Sequence, residues 1–397
     1  MPSLDKKTIS KINLYLVGAA LASVLFSYFV SSLCIIAALV LAVIFVDKSR
    51  FTKKRLGLTV AIALPFFIFL ISGLFSAYQE NAASMISKRL PLLLVPLIVL
   101  NLEEIKKKDL VNLLILFGVS CNLVGVIGIF KGVDFFLRTG QFFGSNYVFY
   151  IFKVQHVYLA TFIVFVLIGS FFVFKGASFR KKGVLVVVNT INLLVFPLLS
   201  SKISLIILLV LGLFYIKDLR KSLGRNFFLL VLGAIVLSIM VFAGPYAGRI
   251  NQLMTWNEPR LDIWPCAWKL ISSNSFIGFV PLGDFQESLN VCYYQGTGKL
   301  DLEGFSTHNQ YLEFWIVSGF LGMLAYLVSL LYLLKHAYAE NRLLLRAFLA
   351  LFFLFGLTEC VLSRQYGITF YAVMVSFLVF SEDLGGNFST KGRTKKN

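Results

Sequence analysis

The sequence predicts an all-α fold, a polytopic membrane protein of about twelve transmembrane helices with one long loop between the late spans. Of its 397 residues 58% are hydrophobic and 41 are Phe, and the mean hydropathy is +0.84. A soluble chain of this length has no interior large enough for so much apolar surface, whereas a bilayer accepts it. Charged residues make up 14% and fall in short clusters between apolar runs, as hinges between spans do. Residues 1–397 therefore read as a single integral membrane domain, with 244–308 as a loop outside the spans.

The apolar runs are, in order, 13–30, 31–46, 57–75, 90–102, 110–130, 154–174, 183–199, 203–216, 227–243, 309–334, 347–362 and 367–381. Several fall short of the roughly 20 residues a helix needs to cross a bilayer. The weakest, 90–102, opens Leu90-Pro91 and contains Pro96, which reads as a kinked or partly re-entrant helix. An even number of spans puts both termini on one side. With that side as the cytoplasm, 26 of the 37 Lys and Arg lie inside and 11 outside. Cytoplasmic loops carry such an excess, so the long loop is expected to face the periplasm or cell exterior. This orientation signal also accounts for the formal net charge of +18. No basic domain or aromatic-interleaved basic stripe outside the spans points to nucleic acid. Ala20-Leu-Ala22 is cleavage-like, but the apolar run continues through Val46, so no cleavable signal peptide is expected.

The long loop carries the most polar interval of the chain. Its turn residues (Gly244-Pro245, Glu258-Pro259, Pro281, Gly283) separate two aromatic-rich stretches suited to short amphipathic helices. Arg260-Leu-Asp-Ile-Trp264 opens the first stretch, and Trp268 shares a helix face with Trp264, as interfacial anchors do. The loop closes on His308-Asn-Gln-Tyr311-Leu, with Gly319 and Gly322 beyond. Arg260 either meets headgroups without specificity or grips a diphosphate at two points, the task a guanidinium suits best. His308, just before a span, is either an interfacial anchor or a group that exchanges a proton near neutral pH. Asn309 and Tyr311, hydrogen-bonding groups expected to face the same water layer, favour the second reading.

Other polar residues lie among the spans. Lys202, in Leu199-Ser-Ser-Lys-Ile, breaks two apolar runs; it either snorkels to the interface or faces a cavity or anionic ligand. Glu359 is placed within its span and needs a partner, for which Arg364, five residues on, reads as a structural ion-pair candidate. His156 opens the sixth span as a substrate contact or an interfacial residue, and His336 falls inside among basic residues, away from any site. A divalent ion is poorly supported: apart from Glu258 with Asp262, the outer face has one closely spaced carboxylate pair, Asp301 with Glu303 near His308, and no His/Cys cluster has zinc spacing. No Walker-type or dinucleotide glycine loop is present, which argues against an ATP-driven or nucleotide-sugar enzyme. Cys34, Cys121 and Cys360 fall in spans, while Cys266 and Cys292 share the loop, where an oxidising compartment would allow a disulfide.

Three motifs together resemble the O-antigen ligase and polymerase superfamily of bacterial polysaccharide assembly. They are Arg260-x-x-x-Trp264 followed by Pro281-Leu-Gly-Asp-Phe285, then His308-Asn-x-Tyr-Leu with Gly319 and Gly322, then Thr358-Glu359 leading to Arg364-Gln-Tyr-Gly367. They cover roughly 249–370; the first half agrees through its span count and the His156-Val-Tyr-Leu-Ala segment. The resemblance implies a GT-C-like helical glycosyltransferase of the bacterial inner membrane. It would take a glycan from an undecaprenyl diphosphate carrier on the periplasmic face, without metal or other cofactor and with inversion. The acceptor would be a lipid A-core sugar in a ligase, a carrier-linked repeat of growing polysaccharide in a polymerase, or a protein. Carried over residue by residue, His308 is the base and Arg260 a diphosphate clamp. Lys202 stands where the family has a second arginine, keeping the charge but not the two-point fork.

The residues suit that chemistry independently. A sugar hydroxyl needs a base as it attacks C1, and a leaving diphosphate needs cations aimed at its developing charge. The polyprenyl tail and membrane lipids would lie against the Phe- and Leu-rich spans. The long loop with its paired Arg and His favours a ligase. A polysaccharide or lipid transporter would share the composition but has no need of a proton-exchanging histidine at the loop's edge.

Overall fold

The computed structural model describes residues 6–103, 105–140, 151–174, 176–218, 259–274, 278–297 and 302–382. Within these the chain is all-helical: α1 (Lys6–Ser23), α2 (Tyr28–Ile44), α3 (Lys53–Leu74), α4 (Gln79–Arg89), α5 (Pro91–Leu100), α6 (Lys107–Thr139), α7 (His156–Phe174), α8 (Phe179–Leu198) and α9 (Lys202–Phe214) come first. After them come α10 (Arg260–Ser273), α11 (Phe285–Thr297), α12 (Gln310–Ala339), α13 (Leu343–Gly356) and α14 (Gln365–Phe380). Among the described residues six stretches are long and apolar enough to cross a membrane: α3, Gln79–Leu100, α6, α7, α8 and α12. Shorter apolar helices, α2, α9, α13 and α14, accompany them. The expected span 227–243 lies outside the described residues. Large apolar side chains on the outside of the bundle, among them Phe29, Val43, Leu74, Leu213 and Phe214, form the surface a bilayer would cover.

The last helix is the hub. Every residue of α14 from Tyr366 to Phe380 is buried, which is what a helix apolar on all sides requires. Phe370 sits among Phe117 of α6, Phe162 and Phe165 of α7 and Phe348 of α13, with ring centroids 4.5–5.6 Å away. Aromatic rings meeting edge-on or offset fill such a core densely.

Three boundaries differ from the sequence reading. The first hairpin turns at residues 24–27, where Ser27 caps α2, so the break falls before the expected 30/31 boundary. The run 90–102 does not stand alone: α4 and α5 meet at Leu90, which keeps right-handed helical angles, and together make the 22-residue candidate span Gln79–Leu100. Pro91 fits there because it occupies the first turn of α5, where a missing N–H leaves no bond unmade. The run 309–334 is broken at Gly319, whose φ of 67° and ψ of 179° belong to a region open almost only to glycine.

Extending the fourth span backwards puts Arg89 inside the bundle. Its guanidinium lies 3.4 Å from the Glu313 carboxylate of α12, with both side chains buried. Ser363 hydrogen-bonds to both, Arg89 Nη1 donates to the Met85 carbonyl (2.9 Å), and the guanidinium covers the Phe69 ring at 4.1 Å. Breaking a buried pair strands a charge and costs about 3–5 kcal/mol. Glu313→Ala or Arg89→Ala is therefore expected to lower the melting temperature in detergent sharply. The double replacement Arg89→Met with Glu313→Leu, which leaves no orphaned charge, is expected to recover most of that loss.

Candidate functional site

Two segments, distant in sequence, are laced together residue by residue. One is the stretch 307–313, where the long loop becomes α12; the other is the link 357–364 between α13 and α14. Thr307 Oγ1 contacts Cys360 Sγ (3.2 Å). Asn309 Nδ2 donates to the Leu357 carbonyl (3.1 Å), and Leu362 N–H donates to Gln310 Oε1 (2.6 Å). Ser363 hydrogen-bonds to Glu313. The link folds back onto α14 because Gly367 has no side chain: a Cβ there would lie 2.2 Å from the Val361 carbonyl oxygen.

Within this seam Glu359 holds two partners, one on each carboxylate oxygen. Arg260 Nη2 lies 3.3 Å from Oε1, and His308 Nδ1 lies 3.2 Å from Oε2. Arg260 Nη2 also donates to the Thr358 carbonyl at 3.2 Å. Side-chain exposure is 6% for Glu359, 18% for His308 and 28% for Arg260, so the acid is sunk and its two partners reach the surface. A carboxylate only accepts hydrogen bonds, so Nδ1 is the donor of this contact, and in the neutral imidazole Nε2 is then the acceptor. His308 has φ +46°, a left-handed conformation unusual for a non-glycine residue and concentrated at functional sites.

Other expected site residues take different places. Glu359 does not lie within a span, and its ion pair is not with Arg364. The α13 helix ends at Gly356, and the exposed Arg364 stands at the start of α14. Asn309 and Tyr311 do not turn to the water layer. Asn309 Oδ1 accepts from the N–H groups of Tyr311 and Leu312 as the N-cap of α12, and Tyr311 Oη donates to the Phe353 carbonyl (2.9 Å). Asn309 is committed because α12 must satisfy its own first turn, and Tyr311 because its hydroxyl ties α12 to α13. His156 opens α7, whose Tyr158 donates to the Cys360 carbonyl at 3.0 Å, beside Glu359. Lys202 opens α9, and Ser204, two residues on, contacts Thr161 Oγ1 (2.9 Å) and the Val157 carbonyl (3.3 Å). The starts of α7 and α9 thus lie together at the same end of the bundle as the Glu359 seam. Asp301 lies outside the described residues.

The loop helices are held where they present Arg260. Cys266 of α10 and Cys292 of α11 form a disulfide, with Cα atoms 5.7 Å apart. The segment Pro281–Phe285 docks on the bundle through the break at Gly319. Val280 N–H donates to the freed Ile316 carbonyl (2.8 Å), and Ser72 of α3 bridges the Val317 carbonyl and Leu282 N–H. Asp284 accepts from Ser76, Ala77 and Tyr78 at 3.2 Å each. A Cβ on Gly283 would meet Ser76 Oγ at 2.2 Å and the Tyr78 carbonyl at 2.6 Å, so this close approach needs glycine.

The motifs that carried the family resemblance are therefore one physical cluster. Residues 158–327 match the family model described as O-antigen ligase. The segment is O-antigen ligase-like. The match spans Lys202, Arg260 and His308, whereas Glu359 lies beyond it. Comparison with curated protein sequences gives no match. With its apolar helices the chain has the make-up of a multi-pass membrane protein, and its residues 158–327 are similar to O-antigen ligases.

Arg89, Glu313, Gln310 and Ser363 went unread in the sequence. The available signal was a lone acid, Glu313, inside an apolar run, where an ionisable group demands a partner. The disulfide closes a sequence separation of 26 residues, a loop for which the chain-entropy model gives about 3 kcal/mol. Cys266→Ser is expected to lower the melting temperature and to raise the susceptibility of residues 259–297 to protease. Equal stability and equal cleavage with and without reductant would show that the disulfide does not hold α10.

Proposed function

We propose that this protein is a ligase-type glycosyltransferase of the bacterial inner membrane. It moves a glycan from undecaprenyl diphosphate to a lipid A-core sugar on the periplasmic face. A single GT-C-like membrane domain of about twelve spans, with both termini cytoplasmic and the loop 244–308 periplasmic, belongs to the same proposal. The observation that carries it is the hydrogen bond from His308 Nδ1 to a buried Glu359 that also pairs Arg260. This arrangement supplies a base, its orienter and a cation within one cluster. The O-antigen ligase match supports the substrate class, and the excess of Lys and Arg in the alternate loops supports the orientation.

In the reaction, the acceptor hydroxyl gives its proton to His308 Nε2 while its oxygen forms the bond to C1 of the donor sugar. The C1–O bond to the diphosphate breaks at the same time, and its electron pair leaves with the undecaprenyl diphosphate. A single displacement of this kind inverts the anomeric centre. Glu359 stabilises the imidazolium as it forms and keeps Nε2 aimed outward, the role an orienting carboxylate plays beside a catalytic histidine. Arg260, and Lys202 at the start of α9, are the cations proposed for the leaving diphosphate. His156 and Arg364 are proposed as accessory contacts at the rim, while Asn309 and Tyr311 support the helix that carries the base.

Turnover per folded molecule tests this. His308→Ala and His308→Asn (asparagine tolerates the left-handed backbone) are expected to fold and to lose about 10²–10⁴-fold in rate. A value within about threefold of wild type would end the base role. Glu359→Gln should slow the wild type but add little to His308→Asn, since both changes disable one unit. Arg260→Lys should lose most transfer because the two-point grip goes while the charge stays. A deletion strain of a ligase should accumulate long carrier-linked chains, whereas accumulation of single repeats would assign the protein as a polymerase.

A further inference from the structure

The two tryptophans of α10 share a helix face yet stand in different surroundings. Trp268 packs edge-to-face on Trp315 of α12 at 5.7 Å between centroids, five residues along α12 from its start. Such a pair suits the interfacial belt of a membrane protein. Trp264 instead donates its Nε1–H to the carbonyl of Thr307, the residue before His308, at 3.1 Å. That bond fixes the indole, which is nevertheless 39% exposed. Phe305, 38% exposed, places its ring 5.6 Å from the His308 imidazole. Its carbonyl is pinned by Gln286 Nε2 at 3.1 Å and Tyr293 Oη at 3.3 Å. Two anchored aromatic residues, Trp264 one turn from Arg260 and Phe305 beside the proposed base, are thus exposed and not used to fill the core.

Resting on the reading of the protein as a glycosyltransferase, we infer that Trp264, with Phe305, is the platform on which the acceptor sugar lies as His308 takes its proton. The C–H face of a pyranose ring is apolar while its rim carries hydroxyls. A fixed aromatic face next to charged and hydrogen-bonding groups matches both features of the sugar. An acceptor hydroxyl must also be held within hydrogen-bond reach of the base, which free diffusion does not provide. Trp264 is therefore a positioning residue for the acceptor, not for the donor.

The test uses the full-length protein in nanodiscs with undecaprenyl diphosphate-linked glycan as donor. Acceptors are core lipopolysaccharide from an O-chain-deficient strain and, separately, a carrier-linked single repeat. Rates are measured against acceptor and against donor concentration. Trp264→Ala is expected to raise the acceptor KM about tenfold, the upper range for one aromatic contact, and to leave the donor KM unchanged. Trp264→Phe should keep most acceptor affinity and serves if the alanine variant folds poorly. Trp268→Ala should leave the acceptor KM at the wild-type value. Equal acceptor KM in Trp264→Ala, Trp264→Phe and wild type overturns the platform, as does the same KM rise in Trp268→Ala. Absence of transfer by the wild-type protein to either acceptor is a different failure, that of the glycosyltransferase reading itself.

Discussion

The carboxylate of Glu359 is the constraint on which the site depends. It comes from a link between two helices, yet it spends one oxygen on Arg260 from the long loop and the other on His308 at the start of α12. A buried acid is costly unless cations and hydrogen bonds compensate it. Once the link is folded inward, the loop arginine and the histidine are drawn to it. The neighbouring bonds from Asn309, Gln310 and Glu313 fasten the same two strands of chain, so the carboxylate cannot retreat without undoing the seam.

Backbone geometry makes this closeness possible. Gly319 interrupts α12 and releases carbonyls that would otherwise be satisfied within the helix; Val280 N–H and Ser72 Oγ take them up. Polar backbone freed inside a membrane protein must find such partners. Gly283 and Gly367 allow two further contacts in which side-chain-free backbone meets backbone oxygen. Gly283, Gly319 and Gly367 of the three motifs thus serve assembly.

A second carboxylate, Glu313, reinforces the first from beneath. It pairs with Arg89 in the buried interior and reaches Ser363 on the same link that carries Glu359. Charge in an apolar setting is expensive, and a fully buried pair adds little net stability over apolar replacements. Its physical consequence here is registry: α4, α12 and the link are tied at one height, which sets where His308 and Glu359 meet. The aromatic packing of Phe370 against α6, α7 and α13 gives that frame its rigidity.

The sequence by itself determined the membrane class and the helical fold, and it singled out Arg260 and His308, the two residues that the structure brings onto Glu359. Hydrophobic run length and the distribution of Lys and Arg are local properties, and a bilayer converts them directly into spans and sides. Short apolar runs with charges near their ends set the start of the fourth run at 90 and left Arg89 unread, because span boundaries depend on which neighbour supplies a partner. Glu359 was visible as an acid in need of one, but proximity in sequence suggested Arg364. Only tertiary structure could choose Arg260, 99 residues away, and His308, 51 residues away. The reason is physical: a buried charge is satisfied by whatever the packing of distant helices brings within reach, and spacing along the chain does not encode that distance.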